Sequence, residues 1–479
     1  MSRTLVRAGM IVTMDASRNV HHQAGLLLEG ERITGVGPWS DFASVDSPIV
    51  DLSHCLVMPG LVNAHTHTPM VLFRGLAEGH SLLGLTGWYN AIRVWELHLA
   101  PEMIPPAVAV SCAEMIRTGT TCFADQYFYM DQILPVVERS GLRAALAYGI
   151  VELGDTAASA HALRETEEFL QQLRGHDRLK AWVGPHALFA DNCAETIRAE
   201  LELASRFDTG FHIHLSTTGE EDRVCLKQYG RTAVQQMKVM GLLERPMIAA
   251  HSLHIPAEDW STLADAPFTA IMIPSSCTRS GVPAAPLRAM QAAGVKAALG
   301  TDNVANNNSY DLFADMGLLG KLMSYREKDP GAIPADRIVE MSTLGGARAL
   351  GLHSEIGSLE AGKRADWIAL NLEEIGWAPR GAQDVYTALV YAVSGLHVRH
   401  VMVNGRWLLR DGKLLTLDYS IATAGLEASL DELRRRRTHA EQAEKQTIAA
   451  TSRTHQEDTN GSRHVRSMDT RSDSPRSAS

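Results

Sequence analysis

Between about Leu61 and Gly351 the chain alternates short apolar runs with helical patterns, and this alternation limits the available folds more than any other feature. The runs are GLVNAH, TCFAD, RAALAYGI, KAWVGPH, GFHIHL, MIAAH, TAIMIP and VKAALGTD. Eight strands interleaved with helices predict an α/β fold, a parallel (β/α)8 TIM barrel. In such a barrel the residues at the carboxyl ends of the strands lie on one face, which is where the active site is expected.

Both ends of the chain consist instead of short apolar runs separated by turn residues. Examples are LVRAGMIVTMD near the N-terminus and VRHVMVNGRWLLRDGKLL near the C-terminus, where Asn404-Gly405 is a hairpin signal. The final stretch is polar and rich in Ser and Arg, so it buries too little apolar surface to offset its ordering entropy. The predicted organisation is a small β-sandwich domain formed by 1–57 and 356–417, a barrel formed by 58–355, and a helix followed by a disordered tail in 418–479.

Composition argues against several kinds of partner. The formal net charge is -10, and the largest basic cluster, Arg434 to Arg437, is distant from the strand ends, so we expect no nucleic acid partner. No uncharged apolar run reaches the ~18 residues of a membrane helix, so we expect no membrane partner. Six cysteines without CxxC spacing and a start without an apolar signal segment predict a cytoplasmic protein.

Imidazole and carboxylate side chains end several of the predicted strands. His65 and His67 are spaced i and i+2, so both can point to one side of a strand. His214 ends FHIHL, His251 ends MIAAH, and Asp302 follows VKAAL. Such residues suit a divalent cation, Zn²⁺ first, with Fe²⁺, Co²⁺ or Mn²⁺ as alternatives. The sequence therefore predicts a metal site at the mouth of the barrel.

The fifth predicted strand offers two histidines, His212 and His214. His214 is nearer the carboxyl end of the strand and is taken as the ligand. His212 is interpreted as a residue of the barrel interior.

At these residues the chain resembles the amidohydrolase superfamily. The branch it looks like contains the S-adenosylhomocysteine and methylthioadenosine deaminases, guanine deaminase, and the triazine (atrazine-type) chlorohydrolases and aminohydrolases. The motifs that support the resemblance are PGLVNAHTHTPM, RTGTTCFADQYFY, VGPHALF, FHIHL, AAHSLHI, ALGTDNVANNN, STLGGARALGL and IGSLEAGKRADWIAL. Together they extend from about Leu5 to Leu415. Their order and spacing are specific for the superfamily and much less specific for the substrate.

The resemblance implies a role for each of the strand-end residues. His65, His67, His214 and Asp302 would be metal ligands, and Asp302 would also act as the general base. His251 would sit beside the metal, orient the water and stabilise developing charge. The fourth strand ends in His186 with no metal-bridging lysine, which implies a single metal ion. The resemblance also suggests a homo-oligomer.

One position departs from the deaminase pattern. Three residues after the ligand of strand five, the deaminases have a glutamate that transfers a proton to the ring nitrogen, and this chain has Thr217. A threonine hydroxyl does not titrate near neutrality. Either Glu220 or Glu221 reaches in from the loop, or the substrate needs no ring protonation. We favour the second interpretation and take both glutamates as the solvated start of a helix.

The function predicted is hydrolysis of a carbon–nitrogen bond in a small, ring-containing substrate by metal-activated water. Because of Thr217, an acyl substrate such as a urea, amide or carbamate is ranked first. The alternative is an aminohydrolase, deaminase or dechlorinase of a purine, pterin or s-triazine. A relative that binds metal without catalysis is the alternative from another class.

Side chains near the strand ends are the candidates for substrate contact. Trp88 follows strand one and offers an aromatic wall, and Gln126 ends strand two. Arg279, in the loop after strand seven, can donate to a carbonyl or carboxylate. The predicted substrate-binding residues are His186, Trp88, Gln126, Thr217 and Arg279.

Overall fold

The computed structural model describes residues 3–379, 381 and 384–466, and these contain two eight-stranded sheets. One sheet is entirely parallel and is formed by the middle of the chain. The other is formed by strands from both ends. The predicted fold class, a TIM barrel with an additional β domain made from the two ends, is confirmed.

The barrel strands coincide with the apolar runs of the sequence. Their bounds are β5 Leu61–Thr66, β6 Thr120–Tyr127, β7 Arg143–Ile150, β8 Leu179–Pro185, β9 Phe211–Leu215, β10 Met247–His251, β11 Phe268–Met272 and β12 Lys296–Leu299. Each strand pairs with the next in chain order, from β5 to β12. Strands β5, β6, β9, β10 and β11 are buried along their whole length, which explains why they read as continuous apolar runs.

Helices cover the outside of the barrel and its upper loops. The α-helices are α1 Leu85–Trp88, α2 Val94–Glu96, α3 Ile104–Arg117, α4 Met130–Ser140, α5 Thr156–Gln172, α6 Ala194–Arg206, α7 Glu220–Tyr229, α8 Ala233–Met240, α9 Trp260–Ala264, α10 Pro274–Arg279, α11 Leu287–Ala292, α12 Leu312–Glu327, α13 Ala335–Met341, α14 Leu344–Ala349, α15 Val385–Tyr391 and α16 Tyr419–Arg466. A π-helical turn, Tyr89–Arg93, joins α1 to α2.

The second sheet combines four strands from each end of the chain. These are β1 Arg3–Val12, β2 Val20–Glu29, β3 Arg32–Pro38, β4 Ile49–Pro59, β13 Trp367–Asn371, β14 Val398–Val403, β15 Arg406–Arg410 and β16 Lys413–Leu414. The two halves meet where β13 pairs antiparallel with β4. Asn404 and Gly405 both have positive φ in the β14–β15 turn, as the hairpin signal indicated. The exact domain boundaries stay a prediction.

A buried ion pair joins the barrel to this second sheet. Arg143, the first residue of β7, donates from Nε to Oδ2 of Asp366 at 2.9 Å and from Nη2 to Oδ1 at 3.3 Å. Asp366 immediately precedes β13, and it also accepts from the backbone N–H of Asn404 at 2.7 Å. Both charged side chains are almost fully buried. The pair therefore ties the lower end of a barrel strand to the terminal sheet.

The C-terminal helix packs on the barrel. Leu433 of α16 is fully buried, and Leu426 and Leu430 contact the main core. The guanidinium of Arg437 lies 4.0 Å from the ring centroid of Trp95. Helix α16 continues beyond Arg437, where the polar composition predicts disorder, to Arg466. Residues 467–479, the rest of the predicted tail, lie outside the described residues.

Within the described residues, no single helix combines the length and hydrophobicity needed to cross a membrane. One bent pair, 86–96 with 101–117, meets the length and composition criteria jointly, with 99° between its halves.

Candidate metal centre and active-site cavity

Four predicted ligands converge at the carboxyl ends of barrel strands. His65 is on β5, and His67 follows that strand by one residue. His214 lies on β9, and Asp302 follows β12. All four are buried, with exposed fractions of 0%, 7%, 9% and 2% in that order. The structure thus brings together side chains that are up to 237 residues apart in the chain, because parallel strands end on one face.

Hydrogen bonds at Nδ1 fix the orientation of three imidazole rings. The Nδ1 of His67 lies 2.6 Å from the carbonyl oxygen of Gln126, and that of His214 lies 3.0 Å from the carbonyl oxygen of His186. The Nδ1 of His65 lies 2.7 Å from the Nε2 of His212. A ring that donates from Nδ1 keeps the lone pair of Nε2 for a metal ion. His212 is therefore a supporting residue of the barrel interior and holds His65.

Asp302, in the loop after β12, completes the candidate ligand set. Its Oδ1 lies 3.6 Å from the Nε2 of His65 and 3.5 Å from the Nε2 of His67. Its other oxygen accepts from the hydroxyl of Ser276 at 2.5 Å, and Oδ1 accepts from the backbone N–H of Asn303 at 2.7 Å. Asp302 has φ +63°, an uncommon backbone conformation that clusters at functional sites.

The donor set fits a divalent cation. The donor atoms of His65, His67 and His214 lie within 4.8 Å of one another, as do those of His65, His251 and Asp302. The Nε2 atoms of His67 and His214 are 3.3 Å apart, close to the separation of roughly 3.3 Å for two nitrogens on a tetrahedral zinc ion. Among the described residues the buried Nε2 of His65 has no hydrogen-bond partner, and a metal ion would satisfy it.

Burial sets the protonation of these groups. It lowers the pKa of His65 to about 3 and that of His251 to about 4, and it holds the pKa of His214 well below its usual value. Burial alone would raise the pKa of Asp302, but the imidazoles of His65, His251 and His67 beside it hold that pKa well below the usual range. Neutral imidazoles and an ionised carboxylate are the forms that coordinate Zn²⁺.

His251 lies beside the ligands at the end of β10. Its ring centroid is 5.5 Å from that of His214 and 5.9 Å from that of His65. Its buried Nδ1 has no hydrogen-bond partner among the described residues. The side chain is thus placed to contact a water or a substrate group at the metal centre.

A cavity of about 840 Å³, counted out to its open mouth, leads to this centre. His67, His214, His251 and Asp302 lie along its wall. Its remaining lining is largely apolar and aromatic: Met70, Leu82, Leu83, Trp88, Tyr127, Phe128, Val151, Ala187 and Ala190. A cavity of this size with apolar walls and a few polar groups is typical of a small-molecule site.

Four of the five predicted substrate contacts line this cavity. The ring of His186 lies 5.4 Å from that of Trp88 and 4.7 Å from that of His214, and its Nδ1 is 2.6 Å from Oδ2 of Asp191. Gln126 donates to the carbonyl oxygen of His212 at 2.7 Å, so its amide nitrogen links neighbouring strands. Thr217 also lines the cavity.

Arg279 is the predicted contact that the structure does not bring to the cavity. Its guanidinium donates to Oε2 of Glu78 at 2.6 Å and to the carbonyl oxygen of Asn306 at 3.3 Å. These partners and its exposure explain its position outside the cavity lining.

The interpretation of Glu220 and Glu221 as a solvated helix start is wrong for Glu221. Glu221 is 2% exposed, and both glutamates line the cavity. The backbone N–H of Ser216 donates to Oε2 of Glu221 at 3.2 Å, and that of Thr218 donates to Oε2 of Glu220 at 3.0 Å. The loop between β9 and α7 turns the carboxyl groups of the first helical turn back toward the strand end.

Glu96 is a cavity residue that the sequence reasoning missed. It is buried, and the hydroxyl of Tyr127 donates to its Oε1 at 2.7 Å. Its Oε2 has no hydrogen-bond partner among the described residues and lies 3.6 Å from Nη1 of Arg93. A lone glutamate within the aromatic stretch WYNAIRVWELH was the signal available in the sequence.

Sequence comparison identifies the chain's relatives. The model of the family described as "Amidohydrolase family" matches residues 56–408. A 5'-deoxyadenosine deaminase from Methanosarcina barkeri is 35% identical over 440 residues, which cover 90% of this chain and 99% of the relative. A 5-methylthioadenosine/S-adenosylhomocysteine deaminase from Moorella thermoacetica is 36% identical over 425 residues, covering 87% and 96% of the two chains.

Structural comparison gives a similar result. A zinc-bound adenosine deaminase from Xanthomonas campestris superposes with a TM-score of 0.85 at 28% identity, covering 91% of this chain and 99% of the other. Zinc in this neighbour and the histidine-rich centre described above agree with the predicted divalent metal ion. The names of these proteins fit the aminohydrolase alternative and not the preference for ureas, amides or carbamates.

Proposed function

Because this chain belongs to the amidohydrolase family and is a metal-dependent hydrolase of carbon–nitrogen bonds, we propose that it deaminates a purine nucleoside. Water would replace the exocyclic amino group of the ring, and ammonia would leave. The observation that supports this most is the metal centre at the end of an apolar-walled cavity in a chain whose relatives are named as deaminases of adenosine derivatives.

The ligand set proposed is His65, His67, His214 and Asp302. A divalent ion bound there would lower the pKa of water toward neutrality. Asp302 is positioned to accept the proton of the attacking water, because Ser276 and Asn303 hold its carboxylate in one orientation. Burial lowers the pKa of His251 to about 4, and its Nδ1, which has no hydrogen-bond partner among the described residues, would orient the water or the leaving amino group.

The cavity walls favour a flat ring with polar substituents. Trp88 and Phe128 provide aromatic surface, and Leu82 and Leu83 provide aliphatic surface. Glu96 places in this wall a buried carboxyl oxygen that has no hydrogen-bond partner within the described part of the chain, and it would accept from hydroxyl or amino groups of a substrate. A nucleoside has both a flat ring and such donors.

The charged groups on the cavity wall limit the choice of substrate further. The carboxyl side chains on the cavity wall are Glu96, Glu220, Glu221 and Asp302, and none of the described lining residues is a lysine or arginine. Away from the metal centre, an anionic substituent would therefore meet the carboxyl groups of Glu96 and Glu220 and no cationic side chain among the described lining residues. We propose a neutral nucleoside, unphosphorylated and without a carboxylate, as the preferred substrate.

The preference for an acyl substrate rested on Thr217, and we do not retain it. That preference assumed that no other acid reaches the site once the family glutamate is absent. Glu220 and Glu221 both line the cavity, so the absence of a glutamate at 217 does not remove carboxyl groups from the site.

Release of ammonia is the direct test. Zinc-loaded protein would be assayed with adenosine, 5'-deoxyadenosine, methylthioadenosine, adenosine monophosphate, S-adenosylhomocysteine, a phenylurea and a carbamate. We expect turnover of the nucleosides without a phosphate or carboxylate, weaker turnover of adenosine monophosphate and S-adenosylhomocysteine, which carry one, and loss of at least ~10²-fold in Asp302→Asn. Turnover of the urea or carbamate alone would overturn the proposal, and no turnover with metal fully loaded would favour the non-catalytic alternative. The exposed Glu29→Gln serves as the control variant.

The cellular setting stays a prediction. All six cysteines are unpaired, and five of them are buried. This agrees with a protein of the reducing cytoplasm. A homo-oligomer is likewise still a prediction, and light scattering of the purified chain would test it.

A further inference from the structure

Deamination of a purine requires an acid that the position of Thr217 does not supply. As the attacking oxygen bonds to the ring carbon, electron density moves to the adjacent ring nitrogen, which must be protonated. A threonine hydroxyl does not donate a proton near neutral pH. This inference rests on the proposed function and concerns the residue that replaces the missing acid.

Glu221 lies in the wall of the cavity in which the reaction would take place. It lies in the first turn of α7, seven residues after His214, and lines the same cavity as His214, His251 and Asp302. The N–H of Ser216 holds its Oε2 at 3.2 Å, and Ser216 is the neighbour of Thr217 in the chain. The carboxyl group is thus anchored next to the position where a glutamate at 217 would begin.

The other two cavity glutamates are less suited to this role. Glu220 is partly exposed, and its Oε2 accepts from the N–H of Thr218 near Gly84, on a loop at the cavity wall. Burial raises the pKa of Glu96, while the hydrogen bond from Tyr127 and the guanidinium of Arg93, 3.6 Å away, act in the opposite direction. Glu96 is also distant in the chain from Thr217 and has no contact with the loop between β9 and α7 among the hydrogen bonds and ion pairs of the described residues.

The surroundings of Glu221 keep it protonated at neutral pH. Burial raises its pKa to about 8, and the negative charges of Glu220 and Asp191 add to that effect. The thiol of Cys225, on the next turn of α7, is a further titratable group that interacts with it. The hydrogen bond from Ser216 acts in the opposite direction and is outweighed.

We propose that the carboxyl group of Glu221 is the catalytic acid of this enzyme and delivers the proton to the ring nitrogen. Water bonds to the amino-bearing carbon, one water proton passes to Asp302, and the carbon–nitrogen π pair takes the proton of Glu221. The carbon–amine bond then breaks, and the amine takes the proton from Asp302 and leaves as ammonia. The second water proton returns to the Glu221 carboxylate as the ring carbonyl forms.

The test compares Glu221→Gln with Glu195→Gln, a matched glutamate in the first turn of α6 that is exposed and outside the cavity. Glutamine keeps the oxygen that accepts from Ser216, so melting temperature and metal content should equal those of the wild type. We expect kcat for nucleoside deamination to fall ~10²- to 10⁴-fold in Glu221→Gln and to stay unchanged in Glu195→Gln. Thr217→Glu introduced into Glu221→Gln should restore part of the rate.

Two further readouts separate an acid from a structural role. The reaction needs protonated Glu221, so wild-type kcat/KM should be constant below its pKa and fall above about pH 8, and Glu221→Gln should lose that alkaline limb. The infrared difference between wild type and Glu221→Gln at pH 7 should contain a protonated-carboxyl band, independent of turnover. Absence of the band, or full activity of Glu221→Gln in an enzyme that releases ammonia, overturns the proposal for Glu221 alone. Absence of ammonia release from metal-loaded wild type overturns the proposed function, and with it the role of Glu221.

Discussion

At the scale of single residues, the candidate centre depends on which nitrogen of each histidine is engaged. In the part of the chain that the structure describes, the ring of His65 has no hydrogen bond to the backbone and relies on His212, whose Nε2 lies 2.7 Å from its Nδ1. His67 and His214 rely on backbone carbonyl groups, which a substitution does not remove. Among the three proposed histidine ligands, His65 is therefore the one whose orientation a single side-chain change can disturb.

Replacement of His212 tests this dependence. His212→Phe fills similar space but cannot hydrogen-bond, so His65 loses its fixed tautomer and zinc affinity should fall ~10- to 100-fold. Competition with a chromophoric chelator measures the affinity, and the exposed His22→Gln is the control. Unchanged affinity in His212→Phe would mean that the barrel walls alone orient His65.

Sequence patterns predicted the proposed ligands and missed part of the cavity wall for a physical reason. The proposed ligands all end apolar runs: His65, His67, His214 and Asp302. The carboxyl ends of the strands in a parallel barrel lie on one face, so these residues are expected to lie together. Glu96 and Glu221 lie on helical segments whose burial depends on loops from elsewhere in the chain. No local sequence pattern separates a buried glutamate from a solvated one. Arg279 shows the opposite error: it was predicted to contact the substrate but lies outside the cavity lining, because it pairs with the exposed Glu78, 201 residues away in the chain.

At the scale of secondary-structure elements, the periodicity of the sequence predicted both sheets but not the contact that joins them. Arg143 begins β7, and its guanidinium is satisfied by Asp366, by Asn404 and by the carbonyl oxygen of Asp177. From the sequence alone, an arginine at the start of an apolar run is expected to be exposed at the surface. Its burial follows only from the position of the terminal sheet beneath the barrel.

Breaking this ion pair should destabilise the whole protein. Arg143→Met leaves the Asp366 carboxylate buried without its cation, and the free energy of unfolding should drop by ~3–5 kcal/mol. Loss of the exposed pair between Arg3 and Glu29, in Glu29→Gln, should change it by only ~0–1 kcal/mol. Denaturant titration of both variants measures the difference, and equal effects would show that the buried pair adds nothing beyond a surface contact.

At the scale of the whole molecule, the chain closes on itself twice. The N-terminal strands pair with the C-terminal ones through β4 and β13, and helix α16 packs on α3 and on Trp95 of α2. The segment after Leu417 is therefore part of the folded body up to at least Leu433. Composition alone did not indicate this, because the helix is polar over most of its surface.

Two truncations test how much of that helix is needed. A chain ending at Leu417 loses Leu433 and the partly buried Leu426 and Leu430, and each fully buried leucine contributes ~1.5–3 kcal/mol. We expect a lower melting temperature for this chain. A chain ending at Glu441 keeps these contacts and should melt like the full protein. Equal melting of all three chains would show that α16 does not stabilise the barrel.

The junction between the first and last barrel strands has a consequence for exchange with solvent. The N–H of Asp302 donates to the carbonyl oxygen of His65 at 3.0 Å, and Thr66 forms an isolated bridge with Asp302 at the same point. The proposed metal ligands lie on both sides of this junction, so a metal ion bound by them would link the first barrel strand to the last. Removal of the ion by a chelator should therefore speed deuterium uptake at the backbone amides of this junction before it speeds uptake in β7 and β8. Metal binding would then be coupled to the pairing of the first and last strands that closes the barrel.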